Sequence, residues 1–292
     1  MNMTAQRVAR SKNGSTDAQA QAYALGYSES EFSRLENQGA FYRDLTEDVL
    51  RRAGIAPGMR VLDLGCGVGD VSLLAADLVG PSGAVVGIDR SEEALGVARR
   101  RAAAARRGQV VFQATELDAF TTNETFDAVI GRFVLMYQPD PAATLRTLRR
   151  YLRPGGVIAF QEMAMPLARS LPPGQEFGRC ADWILGTFER AGFEVDMGGK
   201  LFAAFLAAGL PVPQMLAGGR VEGGAKSPVY AYMAHLMQSL LPMAERTGVA
   251  TAAEVDIGTL AERLRAEAVD TNACLMMPPL VGAWTRVPAA ST

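Results

Sequence analysis

Histidine is nearly missing from this chain, with one residue, His235, among 292. A metal centre built on imidazoles is therefore excluded, and no acidic cluster with ligand spacing takes its place. Cysteine is almost as scarce. Cys66, Cys180 and Cys274 lie far apart and lack paired spacing, which excludes a disulfide frame or a zinc site and suits reduced thiols in a cytoplasm. An excess of positive charge is lacking too: the net charge is −2 and the pI about 5.6, so no basic field invites nucleic acid. Arginines do cluster, at Arg99–Arg101 with Arg106–Arg107 and at Arg146–Arg153. Each cluster falls in the last turns of a predicted helix, where cations suit the helix dipole. There is no apolar run of about eighteen residues, hence no predicted membrane span. The stretch from Met1 to Asp17 is polar and reads as a loose tail rather than a signal peptide, and residues 1–22 are expected to be flexible. No internal repeat or low-complexity linker interrupts the chain.

Apolar residues make up 49% of the sequence, enough for one large α/β domain with additions or for two modest ones. Ser28 followed three residues later by Glu31 is a capping-box signature. Phe32, Leu35, Phe41, Leu45 and Val49 then recur at roughly helical spacing, until Gly54 and Pro57-Gly58 end this helical cap over residues 23–56. Alternation of strands and helices begins there. Val61–Leu64, Ala84–Ile88, Val110–Phe112, Phe126–Ile130 and Val157–Phe160 read as buried strands. The intervening helices start at Asp70, at Ser91 and at the Asp140-Pro141 cap. A sixth strand is expected near Gln214–Val221 and a seventh within Ala273–Val287. Such alternation implies a mostly parallel sheet covered on both faces, with ligands beyond the carboxyl ends of its strands. The core is expected over residues 57–163, and residues 164–292 should complete the sheet and carry helical lid insertions at about 164–196 and 225–270.

The sharpest signal is VLDLGCGVGD, Val61 to Asp70. Glycines at 65, 67 and 69 follow a buried strand, permit positive φ and let the backbone approach a ligand. Amide groups at the next helix start can meet a carboxylate. A dinucleotide fingerprint would put its third glycine at position 70, where this chain has Asp70, and a carboxylate beside a pyrophosphate counts against NAD. Asp89 ends the second strand, twenty positions beyond Gly69, where an acid accepts hydrogen bonds from ribose hydroxyls.

From about Tyr23 to Glu162, and more weakly beyond, the chain resembles the class I S-adenosylmethionine (SAM)-dependent methyltransferases, in the small-molecule branch that includes natural-product and quinone enzymes. The resemblance implies a Rossmann-like, doubly wound, seven-stranded, mostly parallel sheet with helical lid insertions and an N-terminal helical extension. It implies that Asp63 orients the methionine ammonium, that Gly65 and Gly67 make room for the methionine part, and that Asp89, with neighbouring Arg90, holds the ribose. The family's usual aspartate after the third strand is absent from FQATELDAF. Either Glu116, flanked by Thr115 and Leu117, reaches the adenine edge, or Gln113 takes the aspartate's place and the backbone of Ala114 or Thr115 reads the ring. Arg132 is expected at the methionine portion, either on its carboxylate or in a salt bridge within the fold. The N-terminal helix is expected to close over SAM, which brings in Tyr27 and Gln38 as cofactor contacts and Tyr23 as a catalytic candidate.

Methyl transfer from a sulfonium mostly needs alignment, and a base only if the acceptor must lose a proton. Glu162, at the end of the fifth strand, is the main candidate base; as a partly buried carboxylate it would carry a raised pKa. The alternative is a strand-end residue tied to backbone. His235 is the other candidate, or else a packed or surface residue. Met163, Met165, Phe177, Trp183, Phe188, Phe193, Met197, Met233, Met237 and Met243 crowd the insertions and suit an apolar acceptor such as an isoprenoid, polyketide or aromatic, methylated on carbon or oxygen. Competing expectations are SAM-dependent cyclisation or decarboxylation without methyl transfer, and a non-catalytic SAM-binding regulator. A homo-oligomer formed by exchanging the N-terminal helix is compatible with the sequence.

Overall fold

The structure, a computed structural model, describes residues 29–289. Two helices, α1 (Glu29–Phe41) and α2 (Arg43–Ala53), precede β1 (Arg60–Leu64), α3 (Asp70–Val79), β2 (Ala84–Asp89), α4 (Glu92–Ala104), β3 (Val110–Ala114) and β4 (Phe126–Arg132). Then come α5 (Pro141–Leu148), β5 (Leu152–Met163), β6 (Arg169–Leu171), α6 (Gln175–Arg190), α7 (Met197–Ala207), β7 (Gln214–Gly218) and β8 (Val221–Gly223). The chain ends with α8 (Val229–Thr247), α9 (Ala252–Val255), α10 (Ile257–Asp270), β9 (Cys274–Met276) and β10 (Leu280–Arg286).

Seven strands form one sheet in the order β3-β2-β1-β4-β5-β10-β7. Pairs from β3 through β5 are parallel, whereas β10 runs antiparallel to both β5 and β7. Strand order reverses at β1, where the chain passes first towards β2 and later to β4, and this leaves a crevice at the carboxyl ends. Strands covered on both faces can be almost wholly apolar. Leu62, Leu64, Val129, Ile158 and Phe160 pack on one face, and Val61, Ala128, Ile130, Val157 and Ala159 on the other. The period of two thus survives inside near-continuous apolar runs.

Local start signals act as expected. The Ser91 side chain accepts the Ala94 N–H at 3.1 Å, and the Asp140 carboxylate accepts the Ala143 N–H at 2.9 Å ahead of Pro141. Two expectations need correction. The helical region read through Phe32–Val49 breaks at Tyr42, a fully buried residue whose φ of −108° and ψ of 9° separate α1 from α2. The first insertion is not purely helical either: β6 falls within it and joins β9 and β8, outside the insertions, in a separate three-stranded antiparallel sheet. Its three-residue strands are too short to display a period. Above the crevice, α6, α8 and α10 pack on one another, and α1 leans on α8. Among the described residues no helix is long and apolar enough to cross a membrane. Tyr23, Tyr27 and Ser28 lie outside the described residues.

Candidate functional site

A cavity of about 940 Å³ opens at the carboxyl ends of β1 to β5, under α1, α6 and α8. Its floor at one end is the loop after β1. Gly65 takes φ +59°, and a Cβ there would stand 2.9 Å from Val134 Cγ2. Gly67 takes φ +52° and a Cβ there would meet nothing within 4 Å, so the conformation alone calls for glycine, and open space remains above it. The Gly67 N–H donates to Asp89 Oδ2 and the Ser91 N–H to Asp89 Oδ1, each at 2.9 Å. Asp89 is thereby fixed on the cavity wall, half-buried, with acceptor capacity left for a ligand.

Asp63 lies behind this loop, almost fully buried, and its Oδ2 accepts the Ser72 hydroxyl at 2.5 Å. Burial pushes its pKa up to about 7; the Ser72 bond and the charge of Arg132 oppose the shift. Asp70 lines the cavity but is held by Arg101, Nη2 to Oδ1 at 2.7 Å, while Arg101 Nη1 also donates to the Val68 carbonyl. The arginine expected only to complement a helix end therefore neutralises the carboxylate that stands in the place of a third glycine. At the far side of Asp89, Thr115, Glu116 and Leu117 line the wall along with Arg90. Gln113 is exposed and not on the wall, whereas Thr115, whose backbone the second alternative invokes, borders the cavity beside Glu116.

Arg132 borders the cavity, with Nη1 donating to Thr46 Oγ1 at 2.9 Å and its guanidinium 5.6 Å from the Phe133 ring centroid. This is a neutral hydroxyl partner, and among the described residues Arg132 makes no salt bridge. From above, α1 supplies Arg34, Leu35 and Gln38. Tyr42 and Tyr232 complete this flank, edge to face at 6.3 Å, with Phe41 stacked on Tyr232 at 4.7 Å. Sequence reasoning missed Arg34, Tyr42 and Tyr232. The spacing of Tyr232 with Met233 and Leu236 on α8, all three on the wall, was the available signal.

The opposite end is apolar. Met163, Met165, Phe177, Phe188, Phe193 and Met233 line it, whereas Met197, Met237 and Met243 are packed in the core. Both expected bases fall away from the wall. His235 is exposed on α8, on the turn of the helix that faces solvent. Glu162 is fully buried and off the wall: its Oε1 accepts the N–H groups of Val134 at 2.9 Å and Leu135 at 2.7 Å. Burial pushes its pKa up to about 7 against these bonds. The alternation of β5 explains the direction, since neighbouring Gln161 faces the other side and donates to the Leu45 carbonyl. Among the described residues no group of three or more His, Cys, Asp or Glu side chains could hold a metal.

A methyltransferase-domain family model matches residues 55–183. A demethylmenaquinone methyltransferase of Geobacillus kaustophilus is 33% identical over 138 residues, covering 46% of this chain and 59% of the relative. A 2-phytyl-1,4-naphtoquinone methyltransferase of Synechococcus elongatus is 38% identical over 122 residues, covering 41% and 52%. The chain thus spans little more than half the length of these curated relatives. Among solved structures, a putative methyltransferase from Bacillus halodurans superposes with TM-score 0.56 at 16% identity, over 84% of this chain and 99% of that one. The (4+2)-cyclase SpnF superposes with TM-score 0.50 at 20% identity, over 85% and 81%, so the fold itself does not select a chemistry. Residues 55–183 thus match a methyltransferase domain, and the same core is similar to quinone methyltransferases.

Proposed function

We propose that this protein transfers the methyl group of SAM to a carbon or oxygen of a small, mostly apolar acceptor, with hydroquinone-type aromatics as the first class to try. One observation carries this. A single cavity has the glycine loop, Asp89 and Glu116 at one end and a chamber of methionine and aromatic side chains at the other. Gly65 and Gly67 leave room for the methionine part of SAM, Asp89 offers acceptors to its ribose, Arg132 offers a donor to its carboxylate, and Asp63 acts on its ammonium from behind the glycine loop. When bound, SAM supplies an electrophilic methyl on a sulfonium whose leaving group is neutral. The protein's task is then to hold donor and acceptor at near-attack distance and to exclude water.

Neither base expected from the sequence reaches the chamber, because His235 is exposed and Glu162 faces the backbone, so an acceptor that supplies its own electron density is the first to try. A hydroquinone supplies its own electron density at the ring carbon. The new carbon–methyl bond forms as the sulfonium bond breaks, and the ring carbon then loses its proton to water. The similarity to quinone methyltransferases over the core supports this class. The first test is calorimetric titration with SAM, S-adenosylhomocysteine and NAD, repeated on Asp89→Ala. Micromolar binding of the first two, lost in the variant, is expected; a preference for NAD would overturn the proposal. The second is mass spectrometry of the product made with deuterated SAM. S-adenosylhomocysteine and a labelled acceptor should accumulate together, and turnover of the acceptor with SAM unconsumed would indicate a cyclase or decarboxylase instead.

A further inference from the structure

The turn after β4 touches both ends of the cavity. Val134 packs on Gly65 in the glycine loop, and Tyr137 meets Phe193 below the lid, edge to face at 4.9 Å. The path of this turn is costly. Phe133 has φ +58°, a left-handed conformation that costs a side-chain-bearing residue on the order of 1 kcal/mol or more. Val134 follows in the right-handed region, at φ −115° and ψ −47°. A left-handed residue followed by a right-handed one turns successive amides to the same side and makes a concave anion seat. Glu162 fills that seat: its Oε1 takes both amides, of Val134 and Leu135. The Phe133 amide meanwhile donates to the Gln161 carbonyl at 2.9 Å, so the end of β5 holds three consecutive amides of the turn. Space around the carboxyl is closed. Glu162 is fully buried, and its Oε2 has no hydrogen-bond partner among the described residues.

We propose that Glu162 is a positioning residue: its carboxylate, seated in the turn after β4, holds the Phe133–Tyr137 wall in the shape that methyl transfer needs. A hydrophobic residue of similar size would fill the space but leave two buried amides without an acceptor, which costs about 1–3 kcal/mol each and forces the turn to move. A glutamine would keep an acceptor oxygen for the seat. Because small displacements of aligned reactants are expensive, the loss should fall on the chemical step rather than on SAM affinity.

The test compares Glu162→Leu with Glu162→Gln, using SAM binding by calorimetry and methylation of reduced 1,4-naphthoquinone as the kinetic probe. In Glu162→Leu, the SAM Kd should stay within about threefold while kcat falls on the order of 100-fold, and Glu162→Gln should recover to within about fivefold of the parent. A glutamine variant as inactive as the leucine one, with SAM binding intact, would overturn the proposal and make the ionisable carboxyl itself the reacting group. A fully active leucine variant would overturn it also. The kinetic arm rests on the methyl-transfer reading, whereas hydrogen exchange on the unmutated protein does not. Amides of Val134 and Leu135 should exchange as slowly as those of β4 in the absence of any ligand. Exchange at the rate of an open loop would sink the seat whether or not naphthoquinol is a substrate.

Discussion

The hydroxyl of Ser72 donates to the carboxylate of Asp63 across 2.5 Å, and together they form a buried polar pair directly behind the glycine loop. Burial holds the Asp63 pKa near 7 in the folded chain, against about 3.8 when unfolded. The folded state therefore binds this proton more tightly than the unfolded chain does. Asp63's contribution to stability is complete below about pH 4, declines as pH rises towards 7 and is gone above it, a change of at most about 4 kcal/mol. Chemical denaturation of the ligand-free protein at pH 5 and pH 8 should reveal higher stability at the acidic value. Asp63→Asn should flatten the difference; Glu162→Gln should do so in part, because Glu162 is shifted in the same direction.

The same proton bears on the ligand. An ammonium group in the cavity, acting on Asp63 behind the glycine loop, favours the ionised carboxylate, so SAM binding should expel the proton. Affinity should climb as pH rises from 5.5 to 6.5, by up to about tenfold, and level off beyond 7. Calorimetry in two buffers of different ionisation enthalpy reads the released proton directly. Equal affinity across that range, with no buffer dependence, would mean that Asp63 does not act on the ammonium.

Asp89 has a double task, since it fixes the Gly67 and Ser91 amides and faces the cavity. Asp89→Asn should keep one amide acceptor and lose the charge, and Asp89→Ala should lose both. Charge-assisted bonds of this kind are worth roughly 1.5–3 kcal/mol, so the SAM Kd should rise about 10- to 100-fold in the alanine variant, with a smaller rise in asparagine. Titration of both variants, checked for an unchanged melting transition, separates ligand contact from loop collapse.

Much of the fold was legible because its signals are local. The Ser91 and Asp140-Pro141 caps, the glycines after Leu64 and the acid ending β2 all work through neighbours within a few residues. What escaped depends on distant partners. Arg101 reaches Asp70 across 31 positions, and Glu162 reaches Leu135 across 27, and no periodicity encodes either. Tyr42 looked like one more residue in a continuous helix, yet tertiary packing against Phe133 and Tyr232 buries it at a break. Glu162 was correctly singled out as a buried carboxylate with a raised pKa, but the side of β5 on which it would find a partner depends on how the chain leaves β4. Phe133 makes that exit at positive φ, which nothing in the residue type announces.

Contact between α1 and the core gives a further prediction. Gly39 sits so close to the carboxyl of Asp70 that a Cβ would stand 2.2 Å from its Cγ. Asp70 is not free to yield, because Arg101 holds it at 2.7 Å. Gly39→Ala should therefore displace α1 from the cavity and weaken SAM binding, on the order of tenfold, through the loss of Gln38 and Leu35 from the wall. The sheet core lies elsewhere, so its melting transition should shift little. Tight SAM binding by this variant would mean that α1 does not close the nucleoside end.

Separation of the two ends of the cavity is the most direct check on the acceptor site. Ala181, on α6, lines the wall beside Phe177 and Leu185, on the lid side and away from Asp89. Ala181→Trp would place a large ring in the apolar chamber without touching the glycine loop. SAM affinity should stay within about twofold, since no group that would contact SAM is altered, while the acceptor KM should rise tenfold or more. The smallest acceptors should suffer least, because filling a chamber penalises bulk first. Rescue is the sharper half of the experiment: Ala181→Ser, similar in volume, should keep parental kinetics. If the tryptophan variant instead lost SAM binding and kept acceptor KM, the chamber under α6 would belong to the donor, and the assignment of the two ends would have to be reversed.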